Sequence, residues 1–426
     1  MKSFNIYTFG CRVNEAESEK ISLDLSGCGW RLEENNPDYY LINTCAVTAK
    51  AEREVRQLIY QVNKKHPGTK IVLTGCAATY WEKKGKVPQE VELVINNDNK
   101  NGIVDVLVDN IDRDGACPVS TKNVHNKFLT SGRSIFKIQT GCNRFCTYCL
   151  TAYLRGKPQS VKINQLVKTI NNYPFPLQEA VLAAINTAAY GVDTGENLID
   201  LIKAVLNQTK INRLSFGSIH PWSFNQDFFQ YYQELAKDPR FVQFFHLPIQ
   251  SGSNAILKLM RRDYSIKDIL STLKTIKTIN PYVFVGTDII VGFCGETEKE
   301  FSETCTFLEE APIDKFHVFR FSKRPDTAAC LLSKDFPEPS EAIKTKRAKI
   351  IRDLGQKKYL NFLKRNIGRK TSALVIKRVD NEYVSGLLDN QLPILIRTKK
   401  KIIGKILPVM VDGLKNSCLL GRLLVK

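Results

Sequence analysis

Six of the twelve cysteines form two groups of three, and each group is one ligand short of a closed four-thiolate site. Cys142, Cys146 and Cys149 lie in TGCNRFCTYC with C-x3-C-x2-C spacing, and no histidine stands within ten residues of them. Three thiolates can hold three irons of a cubic 4Fe-4S cluster and leave the fourth iron open to a small chelating molecule. Structural zinc is the alternative, but it wants four closed ligands. Cys11, Cys45 and Cys76 are far apart in the chain, yet each ends a short strand-like run: FNIYTFGC, YYLINTC and KIVLTGC. The alternative for these three is a set of buried, inert thiols.

The elements between them must bring these thiols together. NEAESEKISLDL and AEREVRQLIYQVNKK read as helices, the second ended by His66-Pro67-Gly68, so the first third alternates strand and helix as a parallel α/β sheet does. Residues just past the carboxyl ends of such strands share one crevice, which gives Cys11, Cys45 and Cys76 a common meeting place. Gly10, Gly75 and Gly141 each precede a cysteine and would let backbone approach an inorganic group. After the strand SIFKIQTG come five more strand candidates, EAVLAAIN, RLSFGSIH, QFFHLPIQ, VFVGTDIIVGF and KFHVFRF. Helical segments such as ENLIDLIKAVLNQ and IKDILSTLKTIK separate them, which makes six βα units. Ile103 to Val108, with the Asn, Asp and Gly residues around it, reads as the end of the first domain and a linker.

With 426 residues and 43% hydrophobic content the chain has room for two or three domains. No apolar run is long enough for a membrane span, and Met1-Lys2-Ser3-Phe4 leads straight into a strand, so a cytoplasmic protein is expected. The net charge of +19 favours a polyanionic partner. From Phe362 to Lys426 there are 14 Lys or Arg against 4 Asp or Glu, so more than half of that excess sits in the tail. TSALVIKRV, YVSGLL and LPILIRT read there as short strand candidates between turn residues, and the local charge favours a grip on RNA.

At this point the sequence resembles the radical S-adenosylmethionine enzymes, and within them the methylthiotransferases, over essentially the whole chain. FGCRVNEAESE, NTCAVT, TGCNRFCTYC, YLRGK, HLPIQSGS, LKLMRRDY and DIIVGFCGETE carry the likeness. The resemblance implies an α/β fold: an N-terminal open parallel domain over 1–110, a linker over 111–130, a partial (βα)6 barrel over 131–361 and a TRAM-like β-barrel over 362–426. It implies two 4Fe-4S clusters, one on Cys11, Cys45 and Cys76 and one on Cys142, Cys146 and Cys149. S-adenosyl-L-methionine would sit on the open iron and be cleaved to a 5′-deoxyadenosyl radical. Tyr148, Asn186, Gln250, Ser253 and Glu296 match positions that commonly shape the cofactor pocket, although Ser253 also suits a helix cap and Glu296 a first-turn acid.

Gly10-Cys11-Arg12-Val13-Asn14 resembles the branch that adds a methylthio group to carbon 2 of N6-threonylcarbamoyladenosine 37 of tRNA. The isopentenyladenosine branch typically has Gln and Met after that cysteine, and the branch acting on a ribosomal-protein aspartate has Pro and Lys. Expected partners are the tRNA anticodon stem-loop and an electron donor such as a flavodoxin or ferredoxin, with no membrane and a monomer as the default. The chain departs from the family at Thr140, where Asp is usual, and at Ala152 and Cys294, where prolines are usual. Glycines are also missing from LAAINTAAYG around Ala184. An RNA-binding protein with structural or lost clusters is the rival of another class. The scattered Cys28, Cys117, Cys294, Cys305, Cys330 and Cys418 have no ligand spacing and read as core or incidental thiols.

Overall fold

The computed structural model describes residues 2–109 and 131–424, and the strand–helix alternation of its first third folds into a parallel five-stranded sheet. The strands are β1 (Ser3–Thr8), β2 (Arg31–Leu32), β3 (Tyr39–Thr44), β4 (Lys70–Gly75) and β5 (Val91–Ile95), in the order β2-β1-β3-β4-β5. β3 and β4 are buried almost throughout, which is why YYLINT and KIVLTG are nearly continuous apolar runs instead of alternating ones. The chain crosses from one side of β1 to the other between β2 and β3. The switch point between β1 and β3 is therefore where a ligand crevice opens.

Four helices cover this sheet: α1 (Arg12–Gly27), α2 (Ala49–Lys65), α3 (Cys76–Lys83) and α4 (Ile103–Asp109). α2 starts at Thr48, whose hydroxyl accepts the Ala51 amide, and stops before Pro67-Gly68. Ile103 to Val108, expected as the end of the first domain and a linker, forms α4. Ile103 and Leu107, four apart on one helical face, are buried with Phe4, Leu25 and Trp30. The expected linker over 111–130 and Cys117 lie outside the described residues. Cys28 is disulfide-bonded, so it is not an incidental thiol.

The centre holds six parallel strands, as expected: β6 (Arg133–Thr140), β8 (Glu179–Ala184), β9 (Arg213–Phe216), β10 (Phe244–His246), β11 (Phe284–Val291) and β12 (Lys315–Arg320). The short β7 (Gln159–Ser160) adds an antiparallel edge to β6. The ladder is broken between β9 and β10, where a single bridge from Leu214 to Phe241 joins the two halves. Around the strands run α5 (Thr151–Arg155), α6 (Ile163–Asn171), α7 (Leu198–Gln208), α8 (Gln226–Leu235), α9 (Asn254–Leu259), α10 (Ile266–Ile279) and α11 (Glu298–Glu310). Leu182, Leu214, Phe245, Val285 and Ile289 lie in the core they enclose.

After α12 (Ala328–Leu332), the 25-residue α13 (Glu341–Arg365) crosses the boundary expected at 361–362 and sends Phe362 and Leu363 into the core of the tail. That tail is a closed five-stranded barrel of β13 (Lys370–Arg378), β14 (Tyr383–Leu388), β15 (Pro393–Arg397), β16 (Ile406–Lys415) and β17 (Cys418–Leu423). Three of these strands were expected from sequence and two were not. No helix among the described residues is long and apolar enough to cross a membrane.

Candidate active site between two cysteine trios

Cys11, Cys45 and Cys76 stand where β1, β3 and β4 give way to α1, α2 and α3: Cys11 is the N-cap of α1 and Cys76 the first residue of α3. Three helix N-termini thus open toward one crevice, a favourable setting for thiolates and for the anionic group they would ligate. Gly10, at φ +98°, is required by that crowding, because a Cβ there would lie 3.0 Å from Cys45 Sγ. The sulfurs are supported by amides: Val47 N–H reaches Cys45 Sγ at 3.5 Å and Asn97 Nδ2 reaches Cys76 Sγ at 3.7 Å. Asn14 ties two of the strand ends together by donating to Phe9 O at 2.7 Å and Thr44 O at 3.0 Å. Burial pushes the Cys45 thiol up to about 12 and raises Cys11, where Arg155 pulls in the opposite direction. Thiols held protonated by burial release protons when they take up a metal.

Behind this trio lies a buried charged network that sequence reasoning missed. Arg155, Lys100 and Lys137 converge on the carboxylate of Glu17, with Lys100 Nζ at 2.5 Å and Arg155 Nη1 at 2.9 Å. Burial alone would raise the Glu17 carboxyl, but Lys100 and Arg155 outweigh it and hold Glu17 well below the usual carboxylate range. A site with cations outnumbering its one carboxylate suits a ligand of net negative charge, which a 4Fe-4S core bound by thiolates is.

The second trio is local. Cys142, Cys146 and Cys149 follow β6 on one loop, and Phe145 within it has φ 47°, a rare angle for a non-glycine residue. Gly141 cannot carry a side chain here, since a Cβ would fall 2.0 Å from Lys157 O. Asn186 Nδ2 approaches Cys142 Sγ at 3.8 Å, and Thr151 N–H reaches Cys149 Sγ at 3.4 Å. Arg262 donates to Tyr148 Oη at 2.7 Å and its guanidinium lies over the Trp222 ring, 4.7 Å from the centroid. Nε and Nη1 of Arg262 are buried without a hydrogen-bond partner. Among the described residues, no three His, Cys, Asp or Glu side chains are gathered around one point as a lone-ion site. The thiolates of a cubic cluster bind different irons and need not converge on one point.

One cavity of about 190 Å³ joins the two trios, bordered by Cys76 from one and Cys149 from the other. Tyr148 and Gln250 line it, as does Asp288, which is held by His246 Nε2 at 3.0 Å. Gln250 sits at φ 81°, a strained angle of the kind that gathers at functional sites. Burial pulls the nearby His220 down to about 3, so it is neutral. Of the other expected pocket residues, Asn186 lies beside Cys142, whereas Ser253 and Glu296 are engaged elsewhere. Ser253 Oγ donates to Glu303 at 2.6 Å and does not cap α9, and Glu296 pairs with Arg347 at 2.8 Å and accepts the Gly292 amide.

The departures from the family pattern are accommodated. Thr140 Oγ1 accepts from Arg155 at 3.1 Å, and Ala152 and Cys294 are buried away from the cavity lining. No residue from Leu182 to Tyr190 has a positive φ, so the alanines near Ala184 are unstrained.

Residues 3–96 match the model of uncharacterized protein family UPF0004, and residues 136–308 match that of the radical SAM superfamily. The threonylcarbamoyladenosine tRNA methylthiotransferase of Aquifex aeolicus is 32% identical across 95% of this chain and 98% of its own length. Its counterpart in Thermotoga maritima is also 32% identical, over 91% of this chain and 89% of that protein. A tRNA-2-methylthio-N(6)-dimethylallyladenosine synthase of Thermosipho africanus is 32% identical over 88% of each chain. Among solved structures, a radical S-adenosylmethionine methyltransferase from Kitasatospora setae superposes with a TM-score of 0.51 over 77% of both chains at 11% identity, a likeness of fold alone.

Proposed function

Given that the chain belongs to the radical-SAM tRNA methylthiotransferase family, we propose that it installs a methylthio group on carbon 2 of N6-threonylcarbamoyladenosine at position 37 of tRNA. Cys142, Cys146 and Cys149 would hold one 4Fe-4S cluster with S-adenosylmethionine on its open iron, and Cys11, Cys45 and Cys76 the other. The observation that carries this reading is the shared cavity, in which Cys76 and Cys149 border one space. When bound, the clusters and S-adenosylmethionine supply the radical and sulfur chemistry that side chains lack.

The chain's own residues bind, orient and exclude water. Ala46, Leu150, Leu154, Ile290 and Phe321 give the cavity an apolar wall suited to a flat base. Phe319, 45% exposed beside it, offers a ring on which an unstacked base can lie. Arg262 fixes the Tyr148 ring next to Cys149. The excess of Lys and Arg in the tail barrel supplies sequence-independent contacts to the anticodon stem-loop. A flavodoxin or ferredoxin would deliver the electrons, and a monomer suffices, since both trios border a cavity formed within one chain.

A second reading replaces the substrate with dimethylallyladenosine, because relatives named for either product reach the same identity. The two are separated by incubating reconstituted enzyme with S-adenosylmethionine, a reductant and anticodon stem-loops carrying either nucleoside, followed by mass spectrometry of the digest. We expect the methylthio product only from the threonylcarbamoyl stem-loop. Product from the dimethylallyl stem-loop alone would reassign the substrate, and product from neither would favour a protein that binds RNA without modifying it.

A further inference from the structure

The helix that follows the central cysteine motif forms the floor of the other cysteine site. α5 begins two residues past Cys149, and its last residue, Arg155, enters the N-terminal domain with a side chain only 2% exposed. Its Nη1 donates to Glu17 Oε1 at 2.9 Å and Thr140 Oγ1 at 3.1 Å, and its Nη2 to Glu17 Oε2 at 3.1 Å and Asn14 Oδ1 at 2.5 Å. Its Nε is buried without a partner. Asn14 is the residue that holds the backbone ahead of Cys11 to the backbone ahead of Cys45. The neighbouring Leu154 carbonyl accepts, at 2.9 Å, from the same Asn97 amide that reaches Cys76 Sγ. Two consecutive residues of α5 therefore contact the supports of all three N-terminal cysteines.

The charges there are unequal. Arg155 keeps its proton at any pH of interest, and together with Lys100 and Lys137 it faces the single carboxylate of Glu17. A cluster gains one negative charge on reduction, and a fixed cation in a water-poor setting stabilises the more negative state. Net charge and outer hydrogen bonds are among the levers by which a protein sets a cluster potential.

The geometry points to Arg155 as a positioning residue that serves the N-terminal cluster from the central domain: it braces Asn14 beneath Cys11 and Cys45, and its charge favours the reduced cluster. The inference rests on a 4Fe-4S cluster at Cys11, Cys45 and Cys76. A purely structural tie through Glu17 is the competing explanation, and it leaves the potential untouched.

The test uses full-length protein carrying Cys142/Cys146/Cys149→Ala, reconstituted anaerobically so that only the N-terminal cluster remains, with its midpoint potential followed by EPR during a redox titration. Arg155→Met is expected to shift the potential to more negative values, and Arg155→Lys to retain most of the parent value. Thr140→Asp, which keeps the arginine and sets a second carboxylate against it, is expected to shift the potential in the same direction as Arg155→Met. If Arg155→Met takes up too little iron to titrate, Thr140→Asp decides alone. Variants that lose iron or melting temperature while titrating with the parent overturn the inference. A parent chain that binds no iron removes the cluster assignment and this inference with it, whatever nucleoside the enzyme modifies.

Discussion

The two cysteine trios are built in opposite ways. The central one is written in eight consecutive residues on one loop, and its surroundings are largely aromatic: Tyr148, Trp222 and Tyr264 around the Arg262 guanidinium. The N-terminal one exists only because a parallel sheet brings three strand ends together, and its surroundings are ionic and amide groups contributed partly by another domain. A local motif keeps its spacing even in a loosened structure, whereas a site assembled by topology depends on the packing between domains. Sequence alone therefore shows the first kind of site directly by its spacing, and the second kind only through the strand–helix alternation that brings Cys11, Cys45 and Cys76 to one edge of a sheet.

The largest expected effect separates the two trios by chemistry. Cys146→Ala should abolish both S-adenosylmethionine cleavage and methylthiolation. Cys45→Ala should abolish methylthiolation and leave reductive cleavage to 5′-deoxyadenosine, read by chromatography of the reaction mixture. Equal loss of both products in the two variants would erase the functional division between the trios.

A smaller effect separates them by energetics. Glu17 is buried with three cations against it, so Glu17→Gln leaves buried charge uncompensated and should lower stability by about 3–5 kcal/mol. Beside the central trio, Asp263 pairs with Arg144 while 61% exposed, and Asp263→Ala should cost about 1 kcal/mol or less. Chemical denaturation of the cluster-free chain measures both. Similar losses would mean that the N-terminal network is no more demanding than a surface pair.

Much of the frame was legible because it rests on periodicity. The three strand–cysteine junctions and the six central βα units appear where apolar runs and helical patterns alternate. What was missed follows from contacts that periodicity does not encode. Asn97 and Lys100 lie in a stretch that carried no recognisable chemistry, and they matter only because folding sets them beside Cys76 and Glu17. α13 shows no single apolar stripe because it buries Lys344 and Arg347 near one end and Phe362 and Leu363 at the other, against different partners. Pro408 and Gly413 interrupt β16, the latter at a bulge opposite β17, and both residue types read as turns. Ser253 and Glu296, which match a family pattern, have Glu303 and Arg347 as partners, contacts that no motif encodes.

Iron and labile sulfide per chain after anaerobic reconstitution test most directly whether two separate trios each hold a cluster beside one cavity. About eight irons in the parent and about four in each of the two variants, Cys11/Cys45/Cys76→Ala and Cys142/Cys146/Cys149→Ala, is the expected result. About four irons in the parent and none after loss of Cys142, Cys146 and Cys149 would contradict it, leaving the N-terminal crevice without a cluster and the cavity with one reactive end.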